Sequence, residues 1–297
     1  MRRPLSPHLG MLVTTLIWGA NFSVVKLALR EIPPIPLTGI RFVTGSFLLG
    51  LTLIWQGRLR RPPAGLLRPL IIYGLIGNTV YQLCFINGLA RTSATNSALI
   101  LASLPTMVTL SAAALGLEHP SRRQFWGVVL ATTGVALVVQ GRARAGADGG
   151  LVGDGLMLAA TCCWTAYSLG LRTLSGKLPP LELTAWTLFT GTPGLVVVAL
   201  PGLLRLEWAA VSPAGWGAVA YSAILSLTAA YFLWSRSIRQ LGAGPTAIYS
   251  CAVPLVAAVV AILLLGEHPT WLHFAGGALI VSGVLRSRGV RLPAVES

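Results

Sequence analysis

Leu-Gly-Leu-Glu-His-Pro occupies residues 115–120 of this 297-residue chain, and Leu-Leu-Gly-Glu-His-Pro occupies residues 264–269, at an offset of 149 residues. Other residues recur at this offset, or at one of 146, in the same order along both halves. Such an ordered series predicts that the second half repeats the first. The matching pairs are Trp18 with Trp164, Pro33-Pro34 with Pro179-Pro180, Pro105 with Pro254, Phe125 with Phe274, Gly127 with Gly276, and Gly134 with Gly283.

Long uncharged runs predict a polytopic integral membrane protein. Hydrophobic residues make up 54% of the chain and charged residues only 10%, whereas soluble proteins carry about 25% charged residues. Each run could cross about 30 Å of hydrocarbon as a helix, which takes roughly 17 to 25 residues. The runs are 69–90, 92–117, 124–140, 151–171 (with one early Asp154), 183–204, 213–235 and 241–266.

Turn signals divide the chain into ten predicted spans. Proline pairs and charged clusters separate the apolar runs, because such sequences stop helices and prefer water. The start of the chain is basic, but the apolar run after it exceeds signal-peptide length and lacks a small-residue cleavage site, so we predict an uncleaved first span. The predicted spans are 8–30, 35–56, 67–90, 93–116, 122–140, 151–173, 181–202, 213–237, 243–265 and 270–286.

Each predicted half contains five spans, which is an odd number. The two copies must therefore lie in opposite orientations, with the Glu118 corner cytoplasmic and the Glu267 corner outside. Inverted repeats give one bundle two nearly isoenergetic arrangements, open to opposite sides around a site near the midplane. The predicted fold is all-α, with ten transmembrane helices in two inverted five-helix repeats (residues 1–145 and 146–297), and the predicted mechanism is alternating access.

The distribution of basic residues predicts the orientation. With a cytoplasmic N-terminus, 15 of the 22 Lys and Arg residues fall on the cytoplasmic side and six on the other, which follows the known excess in cytoplasmic loops. Because the span count is even, both termini are then cytoplasmic. The net charge of +14 does not predict a nucleic-acid partner, since the basic residues are scattered over short loops.

Several motifs carry a resemblance to a known family. They are Trp18-Gly19, Asn21-Phe22, Lys26, Arg41, the Pro105 span ending in Gly116-Leu117-Glu118, and the span with Gly127 and Gly134. In their duplicated arrangement they resemble the EamA family of the drug/metabolite transporter superfamily over nearly the whole chain. The resemblance implies a bacterial inner-membrane carrier, often an exporter of amino acids or related metabolites, with spans one to four and six to nine around a cavity and spans five and ten as outer scaffolding. The second copy departs from the first, because Thr187 stands where Arg41 would repeat.

Polar and aromatic side chains within the spans are candidates for a substrate site. Span three carries four of them at i, i+3, i+4 and i+7, which is one helix face. Polar groups that face lipid are costly and turn inward, so such faces are expected to converge; alternatively, they only join helices through hydrogen bonds. The candidates are Asn78, Tyr81, Gln82 and Phe85 in span three, Trp18 and Asn21 in span one, Trp164 and Ser168 in span six, Tyr231 in span eight, and Tyr249 in span nine.

Lys26 and Arg41 are the cations of most interest within the predicted spans, and they lie toward the outer ends of spans one and two. An uncompensated cation could hold a substrate carboxylate. Alternatively, each long side chain reaches the outer surface or bonds the last carbonyls of a neighbouring helix. Asp154, near the outer start of span six, is another possible partner.

Pro105 and Pro254 lie in the middle of spans four and nine. Each removes a backbone hydrogen bond and is expected to kink its helix. Such kinks could shape a cavity or act as hinges, and the sequence leaves both open.

No cofactor, metal site or enzyme is predicted. The chain lacks a His-Glu-x-x-His pair, a Gly-x-Ser-x-Gly elbow and a phosphate-binding glycine loop. The main hypothesis is a carrier that moves small amphipathic metabolites outward, above all aromatic or bulky apolar amino acids. A drug or quaternary-amine exporter would need acidic liners, and no Asp or Glu occupies the middle of any predicted span. From a different class, a channel or a membrane scaffold without transport remains as an alternative.

Overall fold

The computed structural model describes residues 6–114, 122–143, 150–242, 246 and 249–287. Within these ranges all regular secondary structure is helical, which confirms the predicted all-α fold. The Glu118 corner and the basic residues at both termini lie outside the described residues. The helices are α1 (Pro7–Ala28), α2 (Pro34–Trp55), α3 (Ala64–Arg91), α4 (Ala94–Leu101), α5 (Leu104–Ala114), α6 (Arg122–Ala143), α7 (Gly150–Leu174), α8 (Pro180–Leu204), α9 (Pro213–Leu241), α10 (Val253–Leu265) and α11 (Trp271–Ser287).

Many helices present apolar side chains on the outside of the bundle. Among the described residues, α1, α2, α3, α8 and α9 are long and apolar enough to cross a membrane, and shorter apolar helices include α10. Trp55 is 86% exposed, Leu204 78% and Leu263 76%. A soluble protein rarely leaves apolar patches of this extent in water, whereas lipid solvates them. The chain is therefore a multi-pass membrane protein.

Serine caps and prolines set where the helices begin. The side chains of Ser6, Ser93 and Ser212 each accept a hydrogen bond from a backbone N–H in the first turn of α1, α4 and α9. Such N-caps satisfy donors that the helix itself leaves free. In α2 and α8 the helix starts at a proline, whose fixed φ suits the first helical position.

Two helices change to π-helical geometry near their centres. In α3 this segment is Leu75–Val80, and in α9 it is Ser222–Ala229. Residues 75–80 correspond, at the offset of 149, to residues 224–229, so the two segments overlap along the matched halves. A π-helical turn inserts one extra residue per turn and rotates the side chains that follow. Predicted spans three and eight were regular α-helices, and the structure differs at these segments.

Helical geometry is also interrupted in predicted spans four and nine. The first breaks at residues 102–103, between α4 and α5, and the second begins with the 3₁₀ turn Tyr249–Ala252 ahead of α10. Pro105 and Pro254 are each the second residue of the helix that follows. Each proline therefore starts a new helix after an interruption, rather than bending one continuous helix as expected.

Residues at corresponding positions of the two halves meet in the interior. The Ser46 and Thr192 hydroxyls, 146 positions apart, lie 2.7 Å from each other. The α6 and α11 helices cross at glycines: a Cβ on Gly134 would lie 2.6 Å from the carbonyl oxygen of Gly276, and a Cβ on Gly283, the counterpart of Gly134, would meet the carbonyl of Gly127, the counterpart of Gly276. Only glycine allows the two backbones to approach this closely.

Candidate functional site

A central cavity lies between α1, α2, α3, α4, α7, α9 and the starts of α5 and α10. Its volume is about 60 Å³, counted as space that the centre of a water molecule can occupy. A single water needs on the order of 10–15 Å³ by this measure, so the cavity has room for a few waters but not for an amino acid. Eight of the twelve predicted substrate-binding residues line it: Trp18, Asn21, Arg41, Tyr81, Gln82, Phe85, Trp164 and Tyr231.

Aromatic rings form one wall of the central cavity around Trp164. The Trp164 ring centroid lies 4.8 Å from that of Tyr81, 5.1 Å from Tyr231 and 5.7 Å from Trp18. Trp18 meets both Trp164 and Tyr231 edge to face, an arrangement that places a positive ring edge on a negative ring face. The wall is thus both apolar and rigid, and it is built by α1, α3, α7 and α9 together.

The π-helical segment of α9 positions the α1 side of this wall. The Trp18 Nε1 donates a hydrogen bond of 3.1 Å to the backbone carbonyl of Ser226, which lies in that segment. Ser222, also in the segment, donates its hydroxyl to the Asn21 Oδ1 at 3.0 Å. A Gln82 Nε2 bond of 3.2 Å to the Tyr231 hydroxyl then joins α3 to α9. Local departure from the α-helix therefore supplies the partners that orient the liners.

Arg41 brings a charge to the central cavity, and none of the described carboxylates pairs with it. Its side chain is only 1% exposed, and its Nε and Nη1 have no hydrogen-bond partner. Arg41 therefore neither reaches the surface nor bonds the end of a neighbouring helix, which were the structural alternatives. A buried cation without a partner is unfavourable, so these nitrogens are available to a ligand anion.

The acidic side chains that the structure describes lie away from the central cavity. Glu31 accepts hydrogen bonds from the backbone and hydroxyl of Ser212 in an exposed loop, and these bonds hold the pKa of its carboxyl below the usual value. Glu182 pairs with Arg58 at 3.0 Å. Asp154 accepts from the hydroxyl of Thr92 at 2.7 Å. Each of these three carboxylates thus has a partner of its own, and none of them neutralises Arg41.

Lys26 lies in a different place from Arg41. It borders a separate outer cavity with Arg30 and Glu267. The Glu267 carboxylate caps the start of α4, where it accepts the backbone N–H of Ala94 at 2.8 Å and the Thr95 hydroxyl at 2.7 Å. This corner therefore has the helix-capping role that its loop position suggests.

The other predicted candidates do not line the central cavity. Asn78 donates its amide to the Thr187 carbonyl at 2.9 Å and so joins α3 to α8. Ser168 is buried in α7, and the Tyr249 hydroxyl bonds the ring of His8. The hydrogen bonds of Asn78 and Tyr249 therefore join parts of the helix bundle and do not face the central cavity.

Sequence reasoning missed some of the residues that line the central cavity. They are Phe22, Ala98, Leu101, Ala102, Leu104, Ser226, Leu227, Ser250 and Val253. Ser226 and Tyr231 face the cavity with a spacing of five residues, which fits a π-helical turn and not the α-helical stripe on which the search relied. The apolar liners carry no sequence signal that separates them from core residues. No group of His, Cys, Asp or Glu suited to a metal is found in the described part of the chain.

Comparison with known proteins places the chain among transporters. Residues 5–140 and residues 151–287 each match the EamA-like transporter family. An uncharacterized transporter of Archaeoglobus fulgidus is 29% identical over 93% of this chain and 95% of its own length. A solved structure titled only as a crystal structure of a protein superposes with a TM-score of 0.67 over 95% of this chain and 96% of its own, at 20% identity, which shows the fold alone.

Two relatives are named for what they export. A probable terminal-alkyne amino-acid exporter of Streptantibioticus cattleyicolor is 26% identical over 93% of this chain and 91% of its own. A probable amino-acid metabolite efflux pump of Escherichia coli is 25% identical over 92% and 91%. With the family matched twice over most of its length, this chain belongs to the EamA-like transporter family.

Proposed function

We propose that this chain is a ten-span carrier that moves amphipathic carboxylates, above all amino acids with aromatic or bulky apolar side chains, out of the cell by alternating access. The observation that carries the proposal is the buried Arg41 guanidinium, which faces an aromatic cavity without a counterion. A carboxylate supplies the missing charge, and the rings receive the apolar part. The names of the exporting relatives agree with this class of solute.

The mechanism rests on two inverted five-span halves, residues 1–145 and 146–297. Two-fold symmetry brings a residue into contact with its own counterpart only near the axis. Trp18 and Trp164 meet in this way, as do Gln82 and Tyr231, and the glycine crossing of α6 with α11 is reciprocal. The two separate family matches support the same division.

Alternation would take place where the helices are interrupted. Ala102 and Leu104 border the central cavity beside one break, and Ser250 and Val253 border it beside the other. Interrupted helices leave backbone groups free to serve a site and concentrate the rotation that opening requires. We assign the hinge role to these breaks with Pro105 and Pro254, and the closed cavity to an occluded state between the two open forms.

The basic-residue bias supports an orientation with both termini in the cytoplasm, in the inner membrane of a bacterium. A cysteine engineered at Glu267 and another engineered at Glu118 test it. Membrane-impermeant reagent added outside intact cells should label the first and not the second. Labelling of both from one side would contradict the inverted arrangement.

The flux experiment uses purified protein in liposomes and a panel of labelled amino acids. We expect saturable movement of aromatic or bulky apolar members, and loss of it in Trp164→Ala. Trp208→Ala, in the 3₁₀ turn Trp208–Ala210 between α8 and α9, is the matched control and should retain flux. Absence of movement for every amino acid and related carboxylate would refute the proposal and favour a scaffold, whereas unsaturable conductance would favour a channel.

An exporter of quaternary amines or cationic drugs is the alternative carrier. It needs a negative liner to compensate the cation, and among the described residues the charge in the central cavity is the cation Arg41. Movement of such amines in the same liposomes, with no movement of carboxylates, would favour this alternative.

A further inference from the structure

We propose that the central cavity selects solutes with one net negative charge, meaning carboxylates without a free ammonium group, over zwitterions and cations. This inference rests on the proposed transport function and narrows it: amino acids remain solutes, but the cavity binds the corresponding carboxylates without an ammonium group more tightly, although two relatives are named for amino acids. It follows from how charges and hydrogen-bonding groups in the cavity balance. The starting point is Arg41, which presents unpartnered donors to the cavity.

The carboxylate of a ligand is well served in the central cavity. A guanidinium offers planar donors that match the two oxygens of a carboxylate. Arg41 is buried, and nothing in the described structure competes for its Nε and Nη1. Binding a single negative charge therefore neutralises the site.

An ammonium group finds no negatively charged partner among the described residues of the same cavity. It brings three donors and a charge of the same sign as Arg41. The Asn21 Oδ1 already accepts from Ser222, and the Ser226 carbonyl already accepts from Trp18. The Gln82 Oε1 is a buried acceptor without a partner, but it is a neutral one. A zwitterion would thus bury its positive end beside a cation, with only neutral acceptors in the described lining to receive it.

The aromatic wall does not replace the missing acid. Cation–π binding requires an open ring face, and each edge-to-face pair here occupies one face of one of its rings. Trp18 and Trp164 meet at 82° with centroids 5.7 Å apart, and Trp18 and Tyr231 meet at 87° with centroids 6.1 Å apart. The rings are also neutral, so they suit an apolar group and add no negative charge that would offset Arg41.

The test compares matched pairs of ligands on purified protein in lipid nanodiscs. Each pair differs only in replacing the ammonium by a hydroxyl: phenylalanine with phenyllactate, tryptophan with indolelactate, and leucine with 2-hydroxyisocaproate. Phenylethylamine and phenylacetate probe each charge alone. We expect the hydroxy acid to bind at least tenfold more tightly than its amino acid, with phenylacetate bound and the amine not, as measured by ligand-induced thermal shift and by competition for flux in liposomes.

One variant should shift the ratio of the two affinities toward the amino acid. Gln82→Glu places a carboxylate where the free amide oxygen lies, so the amino acid should gain on its hydroxy acid by tenfold or more. Asn87→Asp, half-buried on the same helix but outside the cavity lining, is the matched control and should leave the ratio unchanged. The wild-type ratios alone decide the matter if Gln82→Glu does not fold.

Each outcome has one meaning. Amino acids bound as tightly as their hydroxy acids, or more tightly, would overturn the charge preference and leave the transport proposal standing. Neither member of any pair bound or moved would overturn both. Equal losses for both members of a pair in Gln82→Glu, with no change in their ratio, would also contradict the inference.

Discussion

The two halves of the molecule are more alike in sequence at the crossing of α6 with α11 than they are in the central cavity. At the crossing, corresponding positions carry the same residue, since Gly134 and its counterpart Gly283 both approach a glycine carbonyl. In the cavity, Trp18 and Trp164 are still alike, but another pair of corresponding positions diverges: Arg41 lines the cavity, whereas Thr187 at the matching position is buried in α8 and bonds the Tyr167 hydroxyl at 3.1 Å.

This difference separates two physical requirements. A carrier needs two conformations of nearly equal energy, and identical residues at a packing crossing keep the energies of mirrored arrangements close. A ligand has no such symmetry, because its charged end differs from its apolar end. The site therefore gains specificity from the positions at which the halves have become unlike.

The largest expected effect comes from removing the asymmetric charge. Arg41→Gln should lower flux of carboxylates at least tenfold, because a charged hydrogen bond contributes about 1.5–3 kcal/mol. The same variant should melt at an equal or higher temperature than the wild type, since it removes a buried cation without a partner. Flux in liposomes and melting in nanodiscs measure the two effects.

Arg58→Gln is the control for Arg41→Gln. It also removes one guanidinium, but one that is 40% exposed and paired with Glu182, so flux should stay within about twofold, as surface pairs contribute on the order of 0–1 kcal/mol. A fall in melting temperature for Arg41→Gln with normal flux would make Arg41 a structural residue and would remove the asymmetry from the site.

The second effect tests the symmetric crossing. Gly134→Ala places a Cβ 2.6 Å from the Gly276 carbonyl oxygen, and overpacking of this kind costs about 1–3 kcal/mol. Gly283→Ala should cost a similar amount, because the crossing is reciprocal. Gly155→Ala, with no atom within 4 Å of the added Cβ, should be neutral or stabilising. Thermal melting in nanodiscs measures all three.

Unequal losses of stability in Gly134→Ala and Gly283→Ala would show that the crossing of α6 with α11 is not symmetric. A loss in Gly155→Ala as large as theirs would show that any added methyl group disturbs these helices, and the close backbone approach would then explain nothing.

Much of the helical fold could be predicted because apolar helices leave strong sequence signals. Proline pairs mark helix starts that the structure shows, as at Pro34 and Pro180. Trp18, Trp164 and Tyr231 could be predicted as liners, since large polar-tipped side chains within an apolar run need a partner or a cavity.

The rest depends on geometry that a helical repeat of 3.6 residues does not contain. The π-helical segment of α9 turns Ser226 toward the cavity, and no residue type in that segment predicts π-helical geometry. Lys26 was a candidate by charge, but it lies eight residues beyond Trp18, about 12 Å along a helix at 1.5 Å per residue. That distance removes it from the central cavity. Asn78 was a candidate because it shares a helix face with Tyr81, Gln82 and Phe85. Its hydrogen-bond partner Thr187 belongs to α8, and the sequence does not reveal that α8 packs there.

The smallest expected effect lies between the two regions, where Ser46 of α2 meets its counterpart Thr192 of α8. Unlike Arg41 and Thr187, these two positions kept hydroxyls in both halves, so their bond should contribute only the typical value of about 0.6 kcal/mol for an interhelical bond in a membrane. Ser46→Ala, Thr192→Val and the double variant form a cycle whose coupling energy, from chemical unfolding in mixed micelles, isolates that bond. Flux should change little in any of the three, because neither residue lines the cavity. A coupling energy near zero would mean that the two hydroxyls are neighbours by symmetry alone. A coupling energy well above about 1 kcal/mol would mean that this pair stabilises the closed state, and flux would then change in both single variants.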